Sequence, residues 1–360
     1  MQQLPLVDGT VSPLSPDGPT IPVARRQRTW YVVLIFCFFA ATIPETIATT
    51  STSVAKIVTH IPDLFFIMAF YGPADLLIRE ALIRRRLGWR SLVLLGVAFG
   101  FVNEGVVAGT WYTNKYAGYA YLGQIDYAWA VALTVFHIFI SVIMPIAFFE
   151  ALFPSRAGKS LLRRRGMVIS AIIFLLVTSL VAFAPAYRVY RIAVFALALV
   201  LAFIAIRLPA APPRRLSHEQ PPRLLQVRLA GFFASVAYFA AIYVVPQITL
   251  RPAGPRIVAA QFADMVVVVL FAALLLAIGR RWTGRAGWSP RHTLALIAGA
   301  LSFSILIFLL PPLWPTLEPL VTLPFVALLI GLDLRLRRRE RATLSMAAVH
   351  PAPPIEATPR

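Results

Sequence analysis

Ten stretches of this chain are each long and apolar enough to cross a lipid bilayer, and nothing else in it limits the available folds so strongly. Their approximate limits are 29–48, 57–83, 91–110, 127–153, 166–186, 191–207, 229–250, 257–279, 293–313 and 317–334. A helix needs about 20 mostly apolar residues to cross the hydrocarbon. Every backbone N–H and C=O must find its partner inside the segment there, which selects helices. With 59% hydrophobic and 14% charged residues, the chain carries more apolar surface than a water-soluble core of this size can hide. The expected fold is all-α: a polytopic transmembrane bundle of about ten spans, with the lipid bilayer as solvent.

The net charge of +19 fits this reading through its placement. With the N-terminus inside, 28 of the 34 Lys and Arg fall on the same side, in loops, tails or span ends. Such an excess marks the cytoplasmic face. Both termini are therefore expected in the cytoplasm, and the chain in a bacterial cytoplasmic membrane. The same pattern excludes nucleic acid as a partner, because no basic face carries interleaved aromatic residues. The cations set topology and meet anionic lipid.

Residues 1–28 are rich in Pro, Gly, Asp and Ser and are expected to be a disordered cytoplasmic N-terminus, with the first apolar stretch an uncleaved anchor. A front half of six spans covers 29–208. A Pro-rich cytoplasmic linker covers 209–228 and contains PAAPPRRLSHEQPPR. A back half of four spans covers 229–341, and 342–360 is expected to be a disordered tail. The single cysteine, Cys37, lies in an apolar run and is expected to be an inert thiol.

Ionisable groups inside spans face the protein interior or water, and mark function by default. In GFVNEGVVAG, Asn103 and Glu104 sit within the third span; His137 sits within the fourth. A rise of about 1.5 Å per residue puts Glu104 and His137 at comparable depth in antiparallel neighbours. Glu45 follows Pro44 near the end of the first span, and Asp264 sits in the eighth, with Gln261 one turn before it. All of these fall in the outer half and could line one polar cavity. The structural alternative is a Glu104 that only bonds a neighbouring helix and a His137 satisfied by Ser141 beside a kink at Pro145. At the cytoplasmic end of the second span, Asp75 with Arg79 and Glu80 with Arg84 are spaced i,i+4, as intrahelical ion pairs require. Tyr71-Gly72-Pro73 is expected to break or kink that helix. Glu150, at the inner edge, is expected to reach water or a nearby Arg. The tyrosine-dense loop from Trp111 to Tyr127 reads as an interfacial belt, or as a lid over an outward-facing cavity.

The stretches YGPADLLIREALIRRRLGWRSLVLLGVAFGFVNEG and HIFISVIMPIAFFEALFP, within residues 57–154, resemble an uncharacterised group of bacterial multi-pass membrane proteins. The resemblance implies a membrane fold and no activity. The pair Asn103-Glu104 is also similar to the Glu-Glu-x-x-x-Arg motif of the intramembrane CAAX-protease and bacteriocin-processing family, with Asn103 for the first Glu and Ala108 for the Arg. That likeness implies a hydrolase with Glu104 as base. The chain has no P-loop, no HExxH, no Gly-x-Ser-x-Gly and no Cys/His pair at metal spacing, so neither cofactor nor metal is expected. Three readings follow: transport or binding of a small molecule or ion through Glu104 and His137, a degenerate hydrolase, and a non-catalytic scaffold.

Overall fold

A computed structural model describes residues 30–49, 54–113, 121–122, 124–212, 216–244, 256–309 and 319–349. Among the described residues, ten helices are long and apolar enough to span a membrane: Trp30–Ala48, Ile61–Arg84, Trp89–Val107, Tyr127–Leu152, Arg164–Ala182, Arg188–Arg207, Leu224–Ile242, Phe262–Thr283, Pro290–Ile307 and Pro319–Ala342. Each expected stretch has its helix. A short hairpin pairs Tyr121–Leu122 with Ile125–Asp126, and Asp126 then caps the fourth span by accepting from the Trp129 N–H at 3.0 Å. Burial raises the Asp126 carboxyl above the usual range, against the backbone hydrogen bonds that favour its charged form.

Two expectations fail in part: of the break or kink at Tyr71-Gly72-Pro73 the break is absent, and the disorder from 342 does not extend over the last helix. The second span runs unbroken from Ile61 to Arg84 with Pro73 inside it. One lost hydrogen bond is tolerable where neighbouring helices hold the segment. Here Gly72 lies so close to Cys37 of the first span that a Cβ on it would sit 2.5 Å from the sulfur. The expected disorder from 342 also fails as far as 349, because the last helix continues to Val349. Its Arg, Leu, Ala and Met favour a helix, and extending an existing one needs no new nucleus. Residues 1–29 and 350–360 lie outside the described residues.

The spans form an inner group and a surrounding layer. In the first and fourth, 61% of the span window is buried; in the eighth, 11%. Leu180, Val189, Phe203, Val266 and Leu270 of the outer spans face outward, as a lipid-contacting surface requires. The second span packs on the first and fifth, and the third on the fourth and sixth. The back half closes on the front mainly through the ninth span: Leu294, Ile297 and Leu301 join Ile43, Phe136 and Phe148 in one apolar cluster. Ser304 donates to the Ala48 carbonyl at 3.0 Å across the same seam.

Candidate functional site

The third span meets the fourth along a stripe spaced by four. A Cβ on Gly96 would lie 3.1 Å from Ile138, and one on Gly100 would lie 3.2 Å from the Thr134 backbone. Small residues at i and i+4 let two helices approach. The next position on this stripe is Glu104, and the approach brings it to His137: Glu104 Oε1 lies 2.8 Å from His137 Nε2.

Three of the spans widen into π-helical turns at the residues that carry the polar groups. These turns are Ile43–Ala48, Phe101–Val107 and His137–Ile143. Their local causes can be read. Pro44 and Pro145 lack an N–H, and the Pro145 ring would clash with the Ser141 carbonyl of a regular helix. The Met144 N–H accordingly bonds the Phe139 carbonyl, five residues back. In the third span the Ala108 N–H reaches the Asn103 carbonyl at 2.7 Å, again five back. Such turns re-aim side chains and concentrate at functional sites.

The result is one hydrogen-bonded network from four spans. Tyr71 of the second span donates its O–H to Glu45 and accepts from Asn103 Nδ2. The same Asn103 nitrogen lies 3.4 Å from His137 Nδ1, and Ser141 Oγ lies 2.8 Å from it. Glu104 accepts from His137 on one oxygen and from Thr110 on the other. These partners assign the protons. Tyr71 is already a donor, so Asn103 must give it an N–H. The second Asn103 N–H then faces His137 Nδ1, which acts as acceptor, and His137 carries its hydrogen on Nε2 toward Glu104. Two carboxyl groups thus end the hydrogen-bonded chain. His137 is 2% exposed and Tyr71 likewise, whereas Glu104 keeps 9%.

The start of the tyrosine-dense loop folds over this end. Trp111 and Tyr112 are buried against Val106 and Val194, and Trp111 packs edge-on to Phe101 at 5.1 Å. Tyr112 donates to the Gly105 carbonyl at 2.8 Å, and burial pushes its phenol up to about 12. A Cβ on Gly105 would come 2.7 Å from Val194, so only glycine fits there. Residues 114–120 and 123 of that loop lie outside the described residues.

Arg191 is the first residue of the expected sixth span, 191–207, at the end opposite the main grouping of cations. It is buried, donating to the Val106 carbonyl at the end of the third span's π turn. Carbonyls at a helix end lack internal partners, and a guanidinium satisfies them. Sequence spacing held no sign of this contact.

Asp264 does not join the network. Its side chain is half-buried and makes no hydrogen bond or ion pair among the described residues. Gln261 is helical, but its side chain lies outside the described residues.

At the arginine-rich end of the second span one expected pair forms and one does not. Arg84 Nε meets Glu80 at 2.8 Å. Glu80 also accepts from the Leu161 N–H at 2.6 Å and from Ser160 Oγ at 2.6 Å, so it pins the segment after the fourth span. Asp75 makes no pair with Arg79. Arg79 turns instead to Glu150 at 3.2 Å and to the carbonyls of Arg156 and Lys159 at 3.0 Å. The returning loop supplies more acceptors than one carboxylate on the same helix. Beside this region a cavity of about 460 Å³ lies between the second, third, fifth and sixth spans. Its walls are apolar, including Leu95, Phe99, Phe174 and Phe195, with Arg84 and Arg85 at one end.

Among the described residues no three His, Cys, Asp or Glu side chains come together as metal ligands. A family model described as an uncharacterized membrane protein family matches residues 32–349. No curated protein matches the chain, and no solved structure matches it.

Proposed function

The chain belongs to that uncharacterized membrane protein family, and we propose that it moves a proton or small cation across the membrane, with Glu104 and His137 as the exchanging pair. One observation carries this reading: four spans converge on a buried hydrogen-bonded network whose ends are carboxyl groups. Ionisable groups inside a membrane destabilise it unless they are partnered, and they mark ion and proton routes. Glu104 gives or takes the proton, and His137 holds it in place through Nε2. Glu45 is the second terminus, reached through Tyr71 and Asn103. The grouping of cations supports the arginine-rich end as the cytoplasmic one, in a bacterial membrane, with both termini on that side.

The test is proton movement in vesicles reconstituted with the full chain, driven by an imposed voltage and read by an internal pH dye. Wild type is expected to acidify the lumen faster than protein-free vesicles, and Glu104→Gln is expected to lose that excess. Equal rates for both proteins contradict the proposal. Peptide cleavage without proton movement would favour the hydrolase resemblance instead.

A further inference from the structure

Asp75 is fully buried in the second span, and neither carboxyl oxygen has a hydrogen-bond partner. One turn away Arg79 is equally buried, and its Nε also lacks a partner. An acceptor without a donor and a donor without an acceptor thus lie on the same helix face, about 6 Å apart along the axis. Cys37 of the first span lies within electrostatic reach of Asp75 and brings no positive charge. An ionised carboxylate left in this position would be strongly unfavourable, while a protonated one is a tolerable polar group. Arg79 meanwhile is paired at 3.2 Å with Glu150, whose side chain is 35% exposed at the edge of the bundle. Its Nη1 lies 3.8 Å from Glu80, which Arg84 holds at 2.8 Å.

We infer that Asp75 carries a proton and that Arg79 is shared between two alternative carboxyl partners, Glu150 and Asp75. This deepens, and rests on, the proton-exchange reading above. In the exchange the O–H bond at Asp75 breaks as Arg79 leaves Glu150 and pairs with the new Asp75 carboxylate. The proton forms an O–H bond on the freed Glu150 carboxylate, which hands it to water. During the transfer one carboxylate partner of Arg79 replaces another, so the buried charge is unchanged at that step. When Glu150 then releases the proton to water, the negative charge it regains sits on the half-exposed side chain at the bundle edge. Tyr71, one turn to the other side of Asp75, belongs to the network of Glu45 and Asn103, and in this proposal that network is the source of the proton that reloads Asp75. Tyr71, Asp75 and Arg79 at i, i+4 and i+8 thereby join the two polar ends of the front half.

Infrared spectroscopy of the reconstituted full chain in H₂O and D₂O reads the Asp75 proton directly. Wild type is expected to show a deuterium-sensitive C=O band of a protonated carboxylic acid. That band is expected to disappear in Asp75→Asn and to move, without loss, in Asp75→Glu. Identical carboxyl bands in wild type and Asp75→Asn overturn the inference. If Asp75→Asn fails to fold, an unmoved band in Asp75→Glu overturns it equally. In the vesicle assay Asp75→Asn is expected to fall to the protein-free rate. Loss in Glu104→Gln but not in Asp75→Asn overturns the relay and leaves the earlier reading standing. Loss in Asp75→Asn but not in Glu104→Gln overturns Glu104 as the exchanging group and, with it, the reloading of Asp75 from its network, leaving only the protonated Asp75 that the infrared band reads.

Discussion

Asn103 is the residue on which the network turns, because its amide supplies hydrogens to both Tyr71 and His137. Asn103→Ala leaves Tyr71 without a donor and removes one of two donors from His137 Nδ1. Buried polar groups stripped of a partner destabilise by about 1–3 kcal/mol. The thermal midpoint of Asn103→Ala in detergent is therefore expected below wild type, while Asp264→Asn, which breaks no bond, is expected within about 0.5 kcal/mol of it. Equal midpoints for Asn103→Ala and wild type would contradict the network. The Glu104–His137 contact was legible from sequence, since depth along two antiparallel helices needs only counting. Tyr71 was not. A tyrosine in an apolar run resembles any other aromatic until its hydroxyl is seen to touch Glu45 and Asn103. Asp75 was misread because i,i+4 spacing permits a pair on an isolated helix, and the competing acceptors at Glu150, Arg156 and Lys159 come from elsewhere in the chain.

At the level of elements, the spans themselves were readable because hydrocarbon admits only long apolar helices, and ten such runs became ten helices. The π turns were not readable. A window tuned to 3.6 residues per turn cannot register one inserted residue, although Pro44 and Pro145 marked where regular hydrogen bonding had to fail. Those turns matter because each shifts the face on which a polar side chain emerges. The approach of the third and fourth spans, set by Gly96 and Gly100, then decides that Glu104 meets His137 instead of lipid. Pro73 teaches the opposite lesson. Local chemistry favoured a break there, and close contact with the first span kept the helix whole.

For the whole molecule, a buried group of four polar spans is wrapped by spans that present apolar surface, and the back half seals one side through the ninth span. Such an arrangement keeps charge from lipid. The asymmetry of Lys and Arg predicts that a reporter fluorescent only in the cytoplasm lights when fused to either terminus; a dark fusion at one end contradicts an even number of crossings. The central claim is that Glu104 and His137 form one hydrogen-bonded unit inside the bilayer. The most direct measurement is the ¹⁵N resonance of His137 in the lipid-embedded protein. The predicted result is a ring with its hydrogen on Nε2 and a bare Nδ1, whose signal shifts in Glu104→Gln while those of His60, His218, His292 and His350 stay in place. A His137 with its hydrogen on Nδ1, or a signal indifferent to Glu104→Gln, would contradict it.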